Sequence, residues 1–238
     1  MDNNPFCKRA GYYNKGRPGY PKECINYLIN KFNLSSGRAI ADIGAGTGLL
    51  TRPFLDYGCS VYAVEPDKNM FAMLKDNLSR YTNAVLLQTC AEDTEIPDKT
   101  CDAVVIGTAF HWFDKEKFSF ECRRRLKGNQ YIAILSIHNN SEGDKRLDKL
   151  KGATARVVQE SKDFIKNGFI EHLEFEYSEQ YDIERFVANK LSSATAPLPG
   201  DQNYEEYVQR CQTVFKKHFG NETVELPFAV TCSIGYLK

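Results

Sequence analysis

The chain has 238 residues, and its 31 lysines and arginines balance 31 aspartates and glutamates. That length suits one α/β domain with elaborations, and zero net charge offers no general attraction to a nucleic-acid backbone. The cysteines at 7, 24, 59, 90, 101, 122, 211 and 232 form no Cys-x-x-Cys pair and have no histidine at metal-ligand spacing. Reduced core thiols in a cytoplasmic protein without a metal are therefore expected, Cys59 and Cys90 lying in apolar, strand-like runs. Met1–Pro5 lacks the basic-then-apolar pattern of a signal peptide. No apolar run approaches the ~20 residues of a membrane helix.

In chain order, Phe6–Lys22 is rich in tyrosine but is kept from forming a long helix by proline and glycine. Helical spacing predicts a helix over Lys22–Asn33, and Ser35-Ser36-Gly37 leads into a first strand, an apolar run that ends in the acid Asp42. Further helices are expected over Leu49–Tyr57, stopped by Gly58, and over Lys68–Arg80. Strands are expected over Ser60–Val64, Ala84–Thr89 and Ala103–Gly107, the last as an apolar run buried on both faces. A helix over Asp114–Leu126, with Arg123–Arg125 as its solvated end, precedes a fifth strand from Gly128 to His138. A polar helix over Gly143–Lys166, a strand over Ile170–Tyr181 and a helix over Asn203–Phe219 follow. The final run, Thr223–Leu237, reads as a hairpin or one long strand bent at Pro227 or Gly235.

The stretch Asp42-Ile43-Gly44-Ala45-Gly46-Thr47-Gly48 joins strand to helix through a glycine-rich turn. Such a turn brings a ligand against bare backbone, with helix-start N–H groups expected to remain free to donate. A dinucleotide fingerprint places its third glycine where this chain has Leu49. Glu65, at the tip of the second strand, stands where a nucleoside-binding α/β unit places a ribose acceptor, since one carboxylate accepts from two hydroxyls. Ala91-Glu92, after the third strand, offers either a partner for an adenine amino group or a turn cap. The fourth strand ends in Thr108-Ala109-Phe110-His111-Trp112-Phe113. There His111 is a candidate to orient an acceptor or act as a base, and Trp112 is expected to pack.

Taken together, Tyr13-x-x-x-Arg17-Pro18-x-Tyr20-Pro21, Asp42-x-Gly44-x-Gly46-x-Gly48, Glu65-Pro66, Ala91-Glu92 and Phe110-His111-Trp112-Phe113 resemble class I S-adenosylmethionine-dependent methyltransferases. The small-molecule branch containing trans-aconitate methyltransferases is the nearest likeness. The motifs cover residues 12–135, and Leu198-Pro199-Gly200 with Tyr204 is similar to a late segment of that branch.

The resemblance implies a Rossmann-like fold: a seven-stranded mixed sheet with an antiparallel last strand and helices on both faces. The organisation expected is one methyltransferase domain over 1–238. It comprises a cap arm and helix (1–36), a cofactor-binding core (37–138), a substrate-side elaboration (139–222) and a closing strand (223–238).

The implied cofactor is S-adenosyl-L-methionine, leaving as S-adenosyl-L-homocysteine. Arg17 is expected at its carboxylate, Gly44 and Gly46 at its methionine end, Glu65 at the ribose, and Ala91 and Glu92 at the adenine. Tyr13, Asp42, Ala45, Pro66, Met70, Thr108 and Ala109 complete that site. The acceptor expected is a small organic molecule, with a carboxylate as the leading case, and neither nucleic acid nor membrane is expected as a partner. An NAD(P)-dependent oxidoreductase is disfavoured by Leu49, and a ligand-binding relative without turnover is the other alternative.

Overall fold

The computed structural model describes residues 8–139 and 147–237. The readings of Met1–Pro5, of Cys7 and of the helix start at Gly143 fall outside them. Seven strands form one sheet: β1 (Ala39–Ile43), β2 (Ser60–Val64), β3 (Ala84–Leu87), β4 (Cys101–Gly107), β5 (Leu126–Asn139), β6 (Phe169–Tyr181) and β7 (Val224–Tyr236). Their order is β3-β2-β1-β4-β5-β7-β6. Strands β1 to β5 are mutually parallel, and β7 runs antiparallel to both neighbours. The order reverses between β1 and β4, and in such sheets the carboxyl ends beside the reversal open a crevice for ligand.

Apolar runs in the central strands are covered on both faces, as parallel strands require. Helices α2 (Lys22–Lys31), α3 (Thr51–Tyr57) and α4 (Lys68–Leu78) bury Leu28, Phe54 and Leu74 with Ile40, Val61 and Val105. On the opposite face, α5 (Lys115–Arg125) and α6 (Leu147–Ile165) bring Phe118, Cys122 and Ile165 against Ile43, Val104 and Ile132. A third cluster, with Tyr181, Phe186, Phe215 and Phe228, joins α7 (Ile183–Leu191) and α8 (Tyr204–Phe219) to the ends of β6 and β7.

Several sequence expectations are corrected. β5 starts at Leu126, two residues before Gly128, because buried Leu126 pairs with Cys101 at the foot of β4. Of the two readings of the last run, the long strand holds: β7 is continuous between β5 and β6. Helix α7 carries a cap that periodicity alone does not reveal: the Asp182 side chain accepts from the Arg185 N–H at 2.7 Å. Cys90 is exposed rather than core.

The arginine run is only partly a solvated helix end. Arg125 is buried; its Nε donates to Glu121 Oε1 at 2.9 Å, and its guanidinium also reaches Asp98. Glu121, itself buried, also accepts from the Thr94 N–H and hydroxyl at 2.7 and 2.6 Å. This network ties α5 to the loop before β4.

Candidate active site

The glycine turn follows β1 directly. Gly44 has φ +74°, and a Cβ there would lie 2.5 Å from the Ala109 Cβ, so backbone shape and close approach both demand glycine. Four N–H groups of the turn itself, at Gly44, Ala45, Gly46 and Gly48, are taken by the protein. Those of Gly44 and Ala45 both donate to the Val64 carbonyl at 2.9 Å, and that of Gly48 to Ala45. The Gly46 N–H donates to Glu65 Oε2 at 2.9 Å. The turn thus locks the tips of β1 and β2 together, and what it presents to a ligand is side chains.

Two of those side chains are carboxylates. Asp42 is fully buried; its Oδ2 accepts from the Thr51 hydroxyl at 2.6 Å while its buried Oδ1 has no partner. Burial raises its pKa to about 7. Glu65 is also buried, held by Gly46 and by the Asp67 N–H at 2.9 Å, and burial raises its pKa as well. Asp67 caps α4 by accepting from the Asn69 and Met70 N–H groups; Met70 is buried and Pro66 exposed.

An N-terminal arm covers the turn. Within it, α1 (Ala10–Gly16) packs on α7, where a Cβ on Gly16 would overlap the Asn189 backbone. Tyr181 and Asn189 donate to the Gly16 carbonyl at 2.7 and 3.1 Å, and Tyr177 to that of Gly19 at 2.8 Å. Buried Arg9 donates to the Leu191 and Ala196 carbonyls. On the core side Asn77 donates to Asn14. The Arg17 guanidinium sits over the Tyr13 ring at 5.0 Å and reaches the Ser192 carbonyl at 3.5 Å, while its Nε is buried without a partner.

Arm and turn enclose a cavity of about 30 Å³ whose lining includes Tyr13, Arg17, Tyr20, Asp42, Thr108 and Ile137. Of the residues expected at the cofactor, Tyr13, Arg17, Asp42, Gly44, Ala45 and Thr108 meet at this cavity. Gly46 and Glu65 flank it through their mutual bond, and Ala109 packs on Gly44. Pro66, Met70, Ala91 and Glu92 do not line it; buried Ala91 and half-buried Glu92 lie after β3, where Glu92 accepts at 2.8 Å from the N–H of Asp114, the cap of α5.

His111 is elsewhere. Buried Phe110 packs on Phe164 of α6, and the tight turn 110–112 directs the next residues outward. His111 therefore lines a groove of about 760 Å³ between α5 and α6, with Lys115 and Glu160, and burial together with the Lys115 charge lowers its pKa. Trp112, expected to pack, is 55% exposed. Sequence reasoning omitted Tyr20, Leu50, Gly107 and Ile137 from the site. For Tyr20 the signal was present in Arg17-Pro18-Gly19-Tyr20-Pro21; for Ile137 there was none.

Residues 41–134 match the family model described as a methyltransferase domain. This stretch resembles a methyltransferase domain. An uncharacterized methyltransferase of Mycobacterium tuberculosis strain H37Rv is 35% identical over 130 residues, 55% of this chain and 51% of that one. An uncharacterized methyltransferase of Schizosaccharomyces pombe is 28% identical over 193 residues, 76% of each chain. The chain spans about half the length of the first of these curated relatives.

Among solved structures, a protein described as a type II methyltransferase from Anaeromyxobacter dehalogenans superposes with a TM-score of 0.66 at 20% identity, over 93% of this chain and 98% of that one. Phosphoethanolamine N-methyltransferase 2 of Haemonchus contortus, solved with phosphomonomethylethanolamine and S-adenosylhomocysteine, gives 0.57 at 15% identity, over 98% and 58%. The fold is that of the Rossmann-like methyltransferases. The family match and the relatives agree in pointing to methyltransferases over residues 41–134.

Proposed function

We propose that the chain transfers a methyl group from S-adenosylmethionine to a small organic acceptor, with a carboxylate as the acceptor group. The observation that carries the cofactor reading is the pair of orphaned polar atoms at one cavity: Asp42 Oδ1, an acceptor, and Arg17 Nε, a donor. Buried polar atoms without partners are uncommon and call for explanation. An α-amino acid answers both, its ammonium at Asp42 and its carboxylate at Arg17, once the covering arm shifts to widen the cavity of about 30 Å³. The methionine end of the proposed cofactor is such a group. Glu65, fixed at the tip of β2 by two N–H donors, suits the ribose diol. In this reading residues 1–238 act as one domain, the arm serving as its cap.

Bound there, the cofactor supplies a methyl on a sulfonium, so the acceptor's lone pair forms the new bond while the old C–S electron pair remains on sulfur. The protein's part is to align the acceptor and exclude water. No lysine or histidine lines the cavity, and burial keeps Tyr13 and Tyr20 protonated. With Asp42 committed to the ammonium, the cavity offers the acceptor no general base, which favours an already ionised carboxylate over a hydroxyl or amine. Titration calorimetry with S-adenosylhomocysteine tests the cofactor: the wild type should bind and Glu65→Ala should bind more weakly. Absence of wild-type binding would sink the reading. A metabolite screen read by S-adenosylhomocysteine release tests the acceptor class.

A further inference from the structure

The sheet order divides the cavity. Glu65 stands just past β2 and the orphaned Asp42 on β1, whereas the far wall is built from Gly107 at the end of β4, from Thr108 after it, and from Ile137 of β5. With the amino-acid end taken by Asp42 and Arg17, an acceptor meets the methyl from the β4 and β5 side. The Tyr20 and Thr108 hydroxyls are the polar groups of that side, and the arm delivers Tyr20 to it.

Their placement is specified by unfavourable local choices. Thr108 is β-branched yet has φ +58°, a strained conformation that persists only where the surroundings impose it. They do so through its N–H, which donates to the Leu135 carbonyl at 2.8 Å, and through its Oγ1, which accepts from the Ile137 N–H at 3.3 Å. Gly107 leaves the room into which Tyr20 reaches, since a Cβ there would overlap the tyrosine hydroxyl. The Tyr20 hydroxyl is spaced 3.4 Å from Thr108 Oγ1, a long contact that leaves most of its donor capacity unused. Burial keeps it protonated, so it acts as a donor and not as a base.

We propose that the Tyr20 hydroxyl, steadied by Thr108, donates a hydrogen bond to the methyl acceptor and turns the acceptor's nucleophilic oxygen toward the methyl group. This rests on the methyltransferase reading of the same cavity. One carboxylate oxygen accepts from Tyr20 and the other remains free to attack, so the tyrosine selects acceptors that carry a second oxygen.

The test uses the full chain, with a panel of small mono-, di- and tricarboxylates assayed by S-adenosylhomocysteine release, and the best acceptor taken forward. Tyr20→Phe keeps the ring and removes the hydroxyl; Gly107→Ala keeps the hydroxyl but displaces it. Both should lower kcat/KM for the acceptor by about 10- to 100-fold. In Tyr20→Phe, affinity for S-adenosylhomocysteine should stay within about twofold and the melting temperature should hold. The proposal is overturned if Tyr20→Phe keeps wild-type kcat/KM. It is equally overturned if cofactor affinity falls by the same factor as activity, which would make Tyr20 a cofactor or packing residue, or if the panel yields no turnover. Failure of the wild type to bind S-adenosylhomocysteine would instead overturn the underlying methyltransferase reading.

Discussion

Replacing Asp42 with asparagine should make the protein more stable and less able to bind its cofactor. Asp42 is fully buried, with one oxygen bonded to Thr51 and the other unpartnered. Its pKa, raised by burial to about 7, compares with about 3.9 in an unfolded chain. Between those values the folded state retains a proton that the unfolded state has released, so stability falls as pH rises through that window and stays low above it. The difference amounts to about 4 kcal/mol at most. Asparagine keeps the shape and cannot ionise. Asp42→Asn should therefore be more stable than the wild type at pH 8 by up to about 4 kcal/mol, and no more stable at pH 4.

At roughly 2–4 °C per kcal/mol for a chain of this size, the melting temperature at pH 8 should rise on the order of 10 °C. The same change removes the charge proposed to hold the ligand's ammonium, a loss of about 1.5–3 kcal/mol, or roughly 10- to 100-fold in affinity for S-adenosylhomocysteine. Because only ionised Asp42 pairs with that ammonium, wild-type affinity should climb from pH 6 to about 7 and then level off, while the variant's stays flat. Thermal melts and calorimetry at pH 6, 7 and 8 check both halves. A variant that melts lower than wild type at pH 8, or a wild-type affinity unchanged from pH 6 to 8, would refute the reasoning.

Gly44→Ala combines a side chain at φ +74° with a 2.5 Å approach to Ala109. It should destabilise by about 2–5 kcal/mol in urea titrations, and a loss under about 1 kcal/mol would show that the turn relaxes freely. Glu121→Ala strips Arg125 of its buried partner and two donors of Thr94 of their acceptor, and should cost about 3–5 kcal/mol, again read by denaturant. Unaltered stability would mean that water replaces the carboxylate. Arg9→Ala removes the donor bridging the Leu191 and Ala196 carbonyls. Hydrogen exchange over residues 9–21 should quicken while β1 and β4 stay protected; an unchanged arm would show that α1 is held by packing alone.

The sequence by itself set out the residues of the proposed cofactor half. The apolar run ending in Asp42, the alternate glycines and the acid at Glu65 are local patterns, each set by what one strand or turn requires. β2 lies where the sequence places it, and the expected helices and strands from residue 22 to 138 match within a few residues at each end. Periodicity could not show that the turn's N–H groups are consumed by Val64 and Glu65, or that Arg125 is buried, because those partners come from other strands and loops.

Tertiary structure alone decided which side chains share a cavity. His111 and Thr108 are three residues apart, yet burial of Phe110 against Phe164 sends His111 to the groove of α5 and α6 while Thr108 faces Tyr20. Arg17 and Tyr20 reach the crevice because Tyr177, Tyr181 and Asn189 hold the arm, by hydrogen bonds that cross more than 150 residues of chain. Such contacts leave no local spacing to read. They arise when the sheet sets β4 and β5 beside β1 and the arm closes over them.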